Sequence, residues 1–354
     1  MRSTRALAPL ALILLAGCSL PDISLPAVKQ KADPVDVRMC TPRNESDASI
    51  GIACSNLIAN QSLTPTKRSM AYLTRGASSQ RTGQHGKAIE DFNAALQLQP
   101  GYVDALFRRG RSYREMGQNE KAIADFSAII AKDPKFEPAY FLRGWTRYRL
   151  NDIAGAEQDF ATAIQLNPND AEAYSALGFI KTRTGDFAGA LAALDRSIEL
   201  VPNNADTFFR RGDAYYKNGK YTQALADFDK AISLRPNFAL AYLQRGNTLT
   251  KLGKDAEAAA SFGEAGRLDP TLADAWNGQG MALRRAKKPA EAIAAHQRAI
   301  DVKPDYAWAW YNKAKSEYDA GKTTAARASV KKALELDPNL QLAKDLLARM
   351  NKKA

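Results

Sequence analysis

The chain contains few of the residue types on which catalysis and metal binding usually depend. Its 354 residues include two histidines and three cysteines. His85 and His296 lie in no metal-ligand spacing, and neither a phosphate-binding loop nor a nucleophile-elbow serine is present. Scattered carboxylates leave a paired acid and base open. The sequence therefore favours a binding protein over an enzyme, with no cofactor and no metal site.

The N-terminus carries a short apolar run behind basic residues, which is typical of an export signal. Residues 6–15 are almost wholly apolar but too few to span a bilayer. The segment ending at Cys18 resembles the lipobox of bacterial lipoproteins, which implies a signal peptide over residues 1–17, cleavage before Cys18 and acylation of that residue. An ordinary signal peptide with a chance cysteine is the alternative. Since Ser19 is not the Asp that retains some lipoproteins at the inner membrane, we expect a lipid-anchored protein of the outer membrane facing the periplasm.

The charge balance is basic, with a formal net charge of +12. Removal of residues 1–17 takes away two arginines and no acid, which leaves 48 basic against 38 acidic side chains, or +10. A basic surface suits nucleic acid, but export argues against that partner. The remaining candidates are anionic surfaces, acidic peptides, free carboxyl termini and cell-wall polymers. A general surface bias that aids solubility is the alternative and needs no ligand.

Two segments separate the export signal from the rest of the chain. Residues 18–49 contain four prolines and no lasting period, which predicts a lipidated tether. Residues 50–68 are predicted to form an N-terminal amphipathic helix and a connector, with Asp47 and Ser49 as candidate N-caps. The apolar stripe of that helix consists of Ile50, Ala53, Cys54, Leu57 and Ile58.

The two cysteines that remain beside the lipidated one form an even pair. In an oxidising compartment Cys40 and Cys54 are predicted to form a disulfide. Two free buried thiols are the alternative.

From residue 69 to residue 338 the sequence repeats every 34 residues. At position 20 of the period all eight copies carry alanine, namely Ala88, Ala122, Ala156, Ala190, Ala224, Ala258, Ala292 and Ala326. A proline follows twelve residues after each alanine, and a small residue precedes each by twelve. Within one copy, apolar residues at i, i+4 and i+7 predict a first helix, a glycine ends it, and a second stripe ends at the proline. Each copy is therefore a helix hairpin that must stack on its neighbours to bury its apolar face.

These residues resemble the tetratricopeptide repeat (TPR) family. The resemblance implies an all-α protein, a right-handed α-solenoid of eight TPR hairpins over residues 69–338 with a capping helix at residues 339–354. The departures are Leu194, His296 and Val330 in place of the usual Phe at position 24, and Lys287 in place of a turn glycine. In the predicted capping helix the apolar residues are Leu342, Leu346, Leu347 and Met350.

Two columns of the repeat vary together. Position 7 is charged in six copies, and position 23 is Asp in four of those; where position 7 is Leu177 or Gln279, position 23 is Ala193 or Ala295. A half-buried charge without a partner is costly. We therefore predict interhelical ion pairs within four repeats, although pairing with the neighbouring repeat fits three of them nearly as well. The predicted pairs are Arg75 with Asp91, Arg109 with Asp125, Arg143 with Asp159, and Arg211 with Asp227.

The resemblance further implies that positions 2, 5, 9, 12 and 13 of each repeat face a concave groove. The candidate partner-binding residues at these positions are Phe107, Phe141, Trp145, Tyr148, Arg149, Phe179, Arg183, Phe209, Tyr216, Lys217, Lys251 and Arg285. Aromatic and basic side chains together suit an extended peptide with acidic groups. The alternatives are that the aromatic residues pack on the next repeat and that the basic residues at position 13 only favour the helix dipole.

The sequence thus predicts a cell-envelope TPR lipoprotein that acts as a scaffold or adaptor for other envelope proteins and binds the membrane through lipid on Cys18. Family resemblance suggests an adaptor for cell-wall enzymes or an assembly factor for a secretin or pilus. A peptidoglycan or polysaccharide binding protein is the alternative.

Overall fold

Helices make up all of the regular structure in the part of the chain that the structure describes. The computed structural model describes Cys40 and residues 46–352, so the predicted signal peptide, Cys18 and most of the predicted tether lie outside it. The eighteen helices of the described part are α1 (Asp47–Ala59), α2 (Pro65–Arg81), α3 (His85–Leu98), α4 (Val103–Glu115), α5 (Asn119–Lys132), α6 (Glu137–Arg149), α7 (Ile153–Leu166), α8 (Ala171–Thr184), α9 (Phe187–Leu200), α10 (Ala205–Lys217), α11 (Tyr221–Leu234), α12 (Ala239–Lys251), α13 (Asp255–Leu268), α14 (Ala273–Arg285), α15 (Pro289–Val302), α16 (Ala307–Asp319), α17 (Thr323–Leu336) and α18 (Gln341–Lys352).

The helices fall into two compact units that divide after Pro100. The described part of the N-terminal unit consists of α1, α2 and α3. The C-terminal unit consists of seven stacked hairpins, from α4–α5 to α16–α17, followed by α18. Together with α2–α3 these are the eight predicted hairpins, and the predicted all-α repeat fold is confirmed.

The turn inside each hairpin depends on one backbone conformation at position 15. Six hairpins have a glycine there with a positive φ, such as Gly117 at 72° and Gly185 at 85°. Asn151 and Lys287 occupy the same position with φ of 63° and 59°. Residues with a Cβ adopt this region less readily than glycine. Lys287 therefore keeps the turn geometry of the repeat despite its side chain.

The two helices of a hairpin approach closely because small residues face a large one. Gly110 on α4 lies against Phe126 on α5, and a Cβ added to Gly110 would come within 2.8 Å of that ring. Ala122 and Phe126 are both fully buried. In the hairpins without Phe at position 24 its replacements Leu194, His296 and Val330 are fully buried too, so the departures from the family pattern keep the core closed.

His296 is accommodated as a neutral side chain. Burial, together with the nearby charges of Arg284 and Lys313, lowers the pKa of His296 to about 3. Its Nδ1 lies 3.1 Å from Asn277 Oδ1. Since a buried imidazole that cannot gain a proton near neutral pH is a poor general base, His296 is a packing residue, as expected from its position in the repeat.

Each unit has one helix beside its hairpins, α1 in the N-terminal unit and α18 in the C-terminal unit. α1 is the predicted amphipathic helix and packs on α2, but it begins earlier than predicted. Its N-cap is Ser46, whose hydroxyl accepts a hydrogen bond from Ser49 N. The expected caps Asp47 and Ser49 were wrong by one to three residues. α18 buries Leu346 and Met350 against α17. Leu342, which is also an apolar residue of the predicted capping helix, is 49% exposed and does not take part in this packing.

The two cysteines of the N-terminal unit lie together in one apolar cluster with Ile50 and Ala71. Both thiols are free and buried. Burial raises the pKa of each thiol. The structure therefore has two free buried thiols, as in the alternative interpretation, and not the predicted disulfide between Cys40 and Cys54. Within residues 46–352 no helix has both the length and the apolar character needed to cross a membrane.

Candidate partner-binding surface

Position 7 of the repeat holds a row of basic side chains inside the hairpins, which we call the interior row. The four predicted ion pairs of this row are present. Their shortest N–O distances are 2.6 Å for Arg75–Asp91, 2.6 Å for Arg109–Asp125, 2.7 Å for Arg143–Asp159 and 2.7 Å for Arg211–Asp227. Each arginine donates from both Nε and Nη2, which is the bidentate geometry of a charged pair.

Burial and pairing oppose each other in these contacts. The hydrogen bonds from Arg109 favour the charged form of Asp125, but burial outweighs them and raises the pKa of that carboxyl group. The pKa of Arg109 is raised by the same contact. The two-point geometry indicates that both partners carry charge, since a protonated carboxyl group offers a guanidinium one acceptor fewer. This arrangement binds the two helices of a hairpin to each other and leaves no free group for a ligand.

The interior row has a second set of partners that sequence reasoning missed. Position 25 of the preceding repeat supplies Ser127 to Arg143 at 3.0 Å and Asp195 to Arg211 at 2.7 Å. Two repeats have a basic residue at position 7 but no Asp at position 23, and in these the contact to position 25 is the main one: Arg245 pairs with Asp229 at 2.5 Å, and Lys313 bonds to Gln297 at 2.7 Å. The interior row therefore also joins neighbouring hairpins. Position 25 varies in residue type from copy to copy, so the sequence gives no single signal for these contacts.

Position 13 places a second row of basic side chains at the C-terminal ends of the first helices. In the C-terminal unit this edge row consists of Arg149, Arg183, Lys217, Lys251 and Arg285, and all five are exposed. Each arginine of the edge row reaches back to position 12 of the preceding repeat, namely to Arg114 O at 3.0 Å, Tyr148 Oη at 2.9 Å and Thr250 Oγ1 at 3.2 Å. The recurrence of this contact places the row along one edge of the first-helix face, which we define as the surface formed by α4, α6, α8, α10, α12, α14 and α16.

The edge row is only partly neutralised. Lys217 pairs with Asp213 at 2.8 Å and Arg285 with Asp255 at 2.5 Å. Within the described part of the chain, no carboxylate forms an ion pair with Arg149, Arg183 or Lys251. These three cations are available to an acidic partner, whereas Lys217 and Arg285 already pair with carboxylates of the chain.

The predicted aromatic contacts divide by position in the repeat. At position 5, Phe107 is fully buried between Phe126 and Phe136, with ring centroids 6.1 Å and 5.6 Å away, and Phe141 is 4% exposed. Phe209 packs in the same way on Phe228 and Phe238, at 5.8 Å and 5.0 Å. Phe107 and Phe141 are therefore packing residues, and Phe107 in particular cannot contact a partner, whereas Phe209 is half-buried.

Positions 9 and 12 supply the aromatic rings that are nearer to solvent. Trp145, Tyr148 and Phe179 form one cluster with edge-to-face and tilted contacts of 5.2 to 5.9 Å between ring centroids. Trp145 is 7% exposed, while Tyr148 and Phe179 are half-buried, as is Tyr216 beside Tyr221. The cluster is a rigid apolar floor next to the edge row.

Arg210 was missed by sequence reasoning because it lies at position 6, outside the positions that the resemblance assigns to the groove. Its guanidinium carbon lies 5.4 Å from the ring centroid of Trp145 and 5.6 Å from that of Phe179, and Nη1 donates to Ser175 Oγ at 3.1 Å. Cation–π contacts hold this charge against the aromatic cluster. Arg210 thus brings a positive charge to the middle of the first-helix face.

Acidic side chains gather at the opposite, N-terminal ends of two of these helices. Glu137 begins α6, Asp170 caps α8, and Glu172 lies in its first turn. Burial and the neighbouring charges of Asp170 and Glu172 raise the pKa of Glu137 to about 8. The charges on the first-helix face are therefore separated, with acids at one end of the helices and the edge row at the other.

Outside the first-helix face, the described chain has weaker candidates for a ligand site. A cavity of about 560 Å³ in the N-terminal unit lies between α1, α2 and α3, and polar side chains line it, including the Arg75–Asp91 pair. In residue 40 and residues 46–352, no group of three or more His, Cys, Asp or Glu side chains is arranged to hold a metal ion.

Comparison with known protein families agrees with this architecture. Sequence models of the TPR repeat match residues 180–219 and 212–253. Models of the tetratricopeptide repeat match residues 81–143, 138–170, 239–272, 258–306 and 277–340. Together these matches run from residue 81 to residue 340 with a gap at residues 171–179. The chain belongs to the tetratricopeptide repeat family, whose members typically act as non-catalytic scaffolds for protein–protein interaction.

Several solved structures share the fold. The chain is similar to a tetratricopeptide repeat protein from Parabacteroides merdae ATCC 43184, with 17% identity, a TM-score of 0.50, and coverage of 80% of this chain and 98% of the other. It is also similar to Cut9–Hcn1 of the APC/C, with 17% identity, a TM-score of 0.54 and coverage of 88% and 61%. YrrB, described as a TPR protein with an unusual peptide-binding site, has 24% identity, a TM-score of 0.48 and coverage of 55% and 98%. No curated protein matches the chain.

Proposed function

We propose that this chain is a cell-envelope TPR lipoprotein whose first-helix face binds extended acidic segments of other envelope proteins. The observation that carries the proposal is the incomplete neutralisation of the edge row, because Arg149, Arg183 and Lys251 are exposed without a carboxylate partner. Cations in such a row attract an acidic segment at long range and bind its carboxylates at short range.

The neighbouring apolar floor adds contact area for such a segment. Tyr148 and Phe179 stay half-exposed, and Arg183 holds Tyr148 through its hydroxyl and lies 5.3 Å from its ring centroid. Rigid aromatic side chains offer contact at a low cost in entropy. An acidic peptide with apolar residues therefore fits the surface better than a purely acidic polymer.

A glycan ligand is the second candidate, and the ring arrangement disfavours it. Stacking on a sugar requires an open aromatic face, whereas Trp145 is 7% exposed and meets Phe179 and Phe160 on its own chain. A peptide competitor distinguishes the two, since it displaces a protein partner and leaves a glycan bound.

The envelope location rests on the lipobox-like segment at Cys18. Replacing Cys18 by Ser should leave an uncleaved or soluble protein with the repeats intact, since acylation needs the thiol. Metabolic labelling with a fatty-acid analogue measures this directly. Label that persists in the Cys18→Ser variant would contradict lipidation at this residue.

The cysteine pair offers a separate check on export. The two thiols lie in one cluster, and an oxidising compartment favours joining them. Closing a loop of about 15 residues would stabilise the N-terminal unit by roughly 3 kcal/mol in the chain-entropy model. Alkylation of the unreduced protein in denaturant should find Cys40 and Cys54 protected, and both thiols should react after reduction. Two reactive thiols without reduction would argue against this disulfide.

A selection with displayed random peptides tests the binding function. The full chain should enrich peptides that combine Asp or Glu with aromatic residues. Their binding should weaken in a variant that carries Arg149→Glu, Arg183→Glu and Lys251→Glu, and it should weaken with added salt. Lys217 is left unchanged because Asp213 already neutralises it.

The matched control reverses three exposed lysines away from the first-helix face, Lys220→Glu, Lys322→Glu and Lys331→Glu, which changes the net charge by the same amount. This control should retain binding. Selected peptides without an excess of acid, or equal binding by both triple variants, would reject the proposed function.

A further inference from the structure

Arg114 is an enclosed cation with too few acceptors. It lies at position 12 of the hairpin α4–α5 and is 4% exposed. Its Nη2 donates to Glu115 Oε1 at 3.0 Å, whereas Nε and Nη1 are buried and hydrogen bond to no atom of the described chain. A buried donor without an acceptor is unfavourable, and more so when it is charged. Two of the three guanidinium nitrogens therefore lack an acceptor.

The surroundings of Arg114 add positive charge instead of removing it. Burial lowers the pKa of Arg114, and the charges of Arg111 and Arg149 lower it further. Arg149 Nη1 donates to the main-chain oxygen of Arg114 at 3.0 Å. On the neighbouring first helix α6, the buried indole Nε1 of Trp145 also has no acceptor. This end of the first-helix face has an excess of both donors and positive charge, which an anion would correct.

A comparison of the repeats shows which acidic residue pairs with an arginine at position 12. Position 12 is Arg in two hairpins, at Arg114 and Arg284, and position 13 is acidic in two, at Glu115 and Asp319. Each acid pairs with one of these arginines, at 3.0 Å for Arg114–Glu115 and 2.8 Å for Arg284–Asp319. Arg284 has no buried nitrogen without a partner in the described chain, whereas Arg114 has two. Glu115 therefore supplies an acceptor for only one of the three guanidinium nitrogens of Arg114.

The geometry of guanidinium explains why Glu115 matters. A carboxylate binds two nitrogens of arginine at once, either Nε with Nη2 or Nη1 with Nη2. Both pairs include Nη2, which Glu115 occupies. The side chain of Glu115 is 49% exposed, so it can leave into solvent at little cost. Once it leaves, Arg114 can turn outward without breaking any other hydrogen bond of its side chain.

We propose that Arg114 is the subsite for one carboxylate of the bound partner segment, with Arg149 beside it, and that Glu115 is an internal competitor for the same nitrogens. This inference rests on the proposed function, because it identifies the residue that binds one carboxylate of the acidic segment. The carboxylate can come from an Asp or Glu side chain or from a free C-terminus, because both present the same pair of oxygens.

Fluorescence anisotropy with labelled peptides tests the subsite on the full chain. The main probe is a short C-terminally amidated peptide of alternating Glu and Phe, and a second probe replaces Glu by Gln and has a free C-terminus. Glu115→Ala should tighten binding of the Glu probe by about 3- to 10-fold, because the competitor is removed. Arg114→Lys should weaken it by about 10-fold, because lysine keeps the charge but loses the two-point grip.

Glu199→Ala is the matched control. It removes an exposed acid that pairs with Arg196 on the second helix α9, so it changes the net charge as Glu115→Ala does and should leave the affinity unchanged. Because Glu115 is exposed, its removal tests the subsite even if Arg114→Lys fails to fold. Weaker binding of the Gln probe by Arg114→Lys would support the subsite and assign it to a terminal carboxylate.

Unchanged affinity in both Glu115→Ala and Arg114→Lys would reject the subsite. If the edge-row triple variant nevertheless loses the Glu probe, the proposed function stands without it. Failure of the unaltered chain to bind either probe would reject both proposals.

Discussion

The interior row and the edge row use the same kind of side chain at the same 34-residue spacing, yet they serve different ends. In the interior row the Asp partners are at most 8% exposed and every arginine of the four predicted pairs binds with two nitrogens. In the edge row Arg149, Arg183 and Lys251 are exposed and have no carboxylate within the described chain. The difference arises because a buried charge must be paired, whereas an exposed charge is stabilised by water and needs no partner within the chain.

Removal of an interior acid should have the largest effect on stability. Asp159 is 2% exposed and is bound by Arg143 at 2.7 Å and by Arg147 at 3.0 Å. Asp159→Ala should destabilise the protein by about 3 kcal/mol, the lower end for a broken buried pair, because the arginines stay partly hydrated. Asp195→Ala removes a half-exposed partner of Arg211 and should cost about 0.5 kcal/mol in urea unfolding. Equal losses would erase the distinction between buried and exposed acids.

Glu137 also tests the rule that a buried charge must be paired, because it is a buried acid whose neighbours Asp170 and Glu172 are acids too. Its pKa is raised to about 8 by burial and by Asp170 and Glu172, from a usual value of 4.5. The folded state thus holds a proton that the unfolded state has lost in this range. The contribution of Glu137 to stability should therefore be greatest below pH 4.5 and should be lost as the pH rises from there through 8. This contribution should vanish in Glu137→Gln and persist in Glu199→Gln, as measured by thermal unfolding across that range. An unchanged profile in Glu137→Gln would contradict the assignment.

The smallest expected effect on stability comes from the edge row. Arg183→Ala should change the free energy of unfolding by about 0.5 kcal/mol, which is the loss of one exposed cation–π contact with Tyr148. Arg143→Ala makes the same substitution in the interior row and should cost several times more, since it leaves Asp159 buried with one partner fewer. Unfolding of both variants in urea gives the comparison. A large loss of free energy of unfolding in Arg183→Ala would indicate that the edge row has a structural role, and it would argue against the proposed function.

The hairpins and the interior pairs were predictable from the sequence because they repeat. A period of 34 residues fixes which residues share a helix, and the joint change of positions 7 and 23 at Leu177 and Ala193 revealed the partner of each charge. The contacts from position 25 were missed because Ser127, Asp229 and Gln297 vary in type and give no single signal.

The exposure of the aromatic residues was not predictable in the same way. Phe107 and Tyr148 both lie at positions assigned to the groove, yet Phe107 is enclosed by Phe126 and Phe136. Helical periodicity gives the direction in which a side chain leaves its helix. How deeply it is buried depends on the size of side chains on two other helices, and those sizes differ from copy to copy.

The sequence by itself determined that this protein is a stack of TPR hairpins with paired charges inside, because the period of small, apolar and charged residues allows one way of burying them. Only the tertiary structure decided which basic residues keep a partner and which do not. Lys217 and Arg183 are alike in the sequence, but Asp213 neutralises the first, whereas the second rests on Tyr148 of the preceding hairpin. The buried nitrogens of Arg114 likewise follow from the stacking of α4 against its neighbours, since hydrogen bonding depends on atoms brought within about 3 Å from distant parts of the chain.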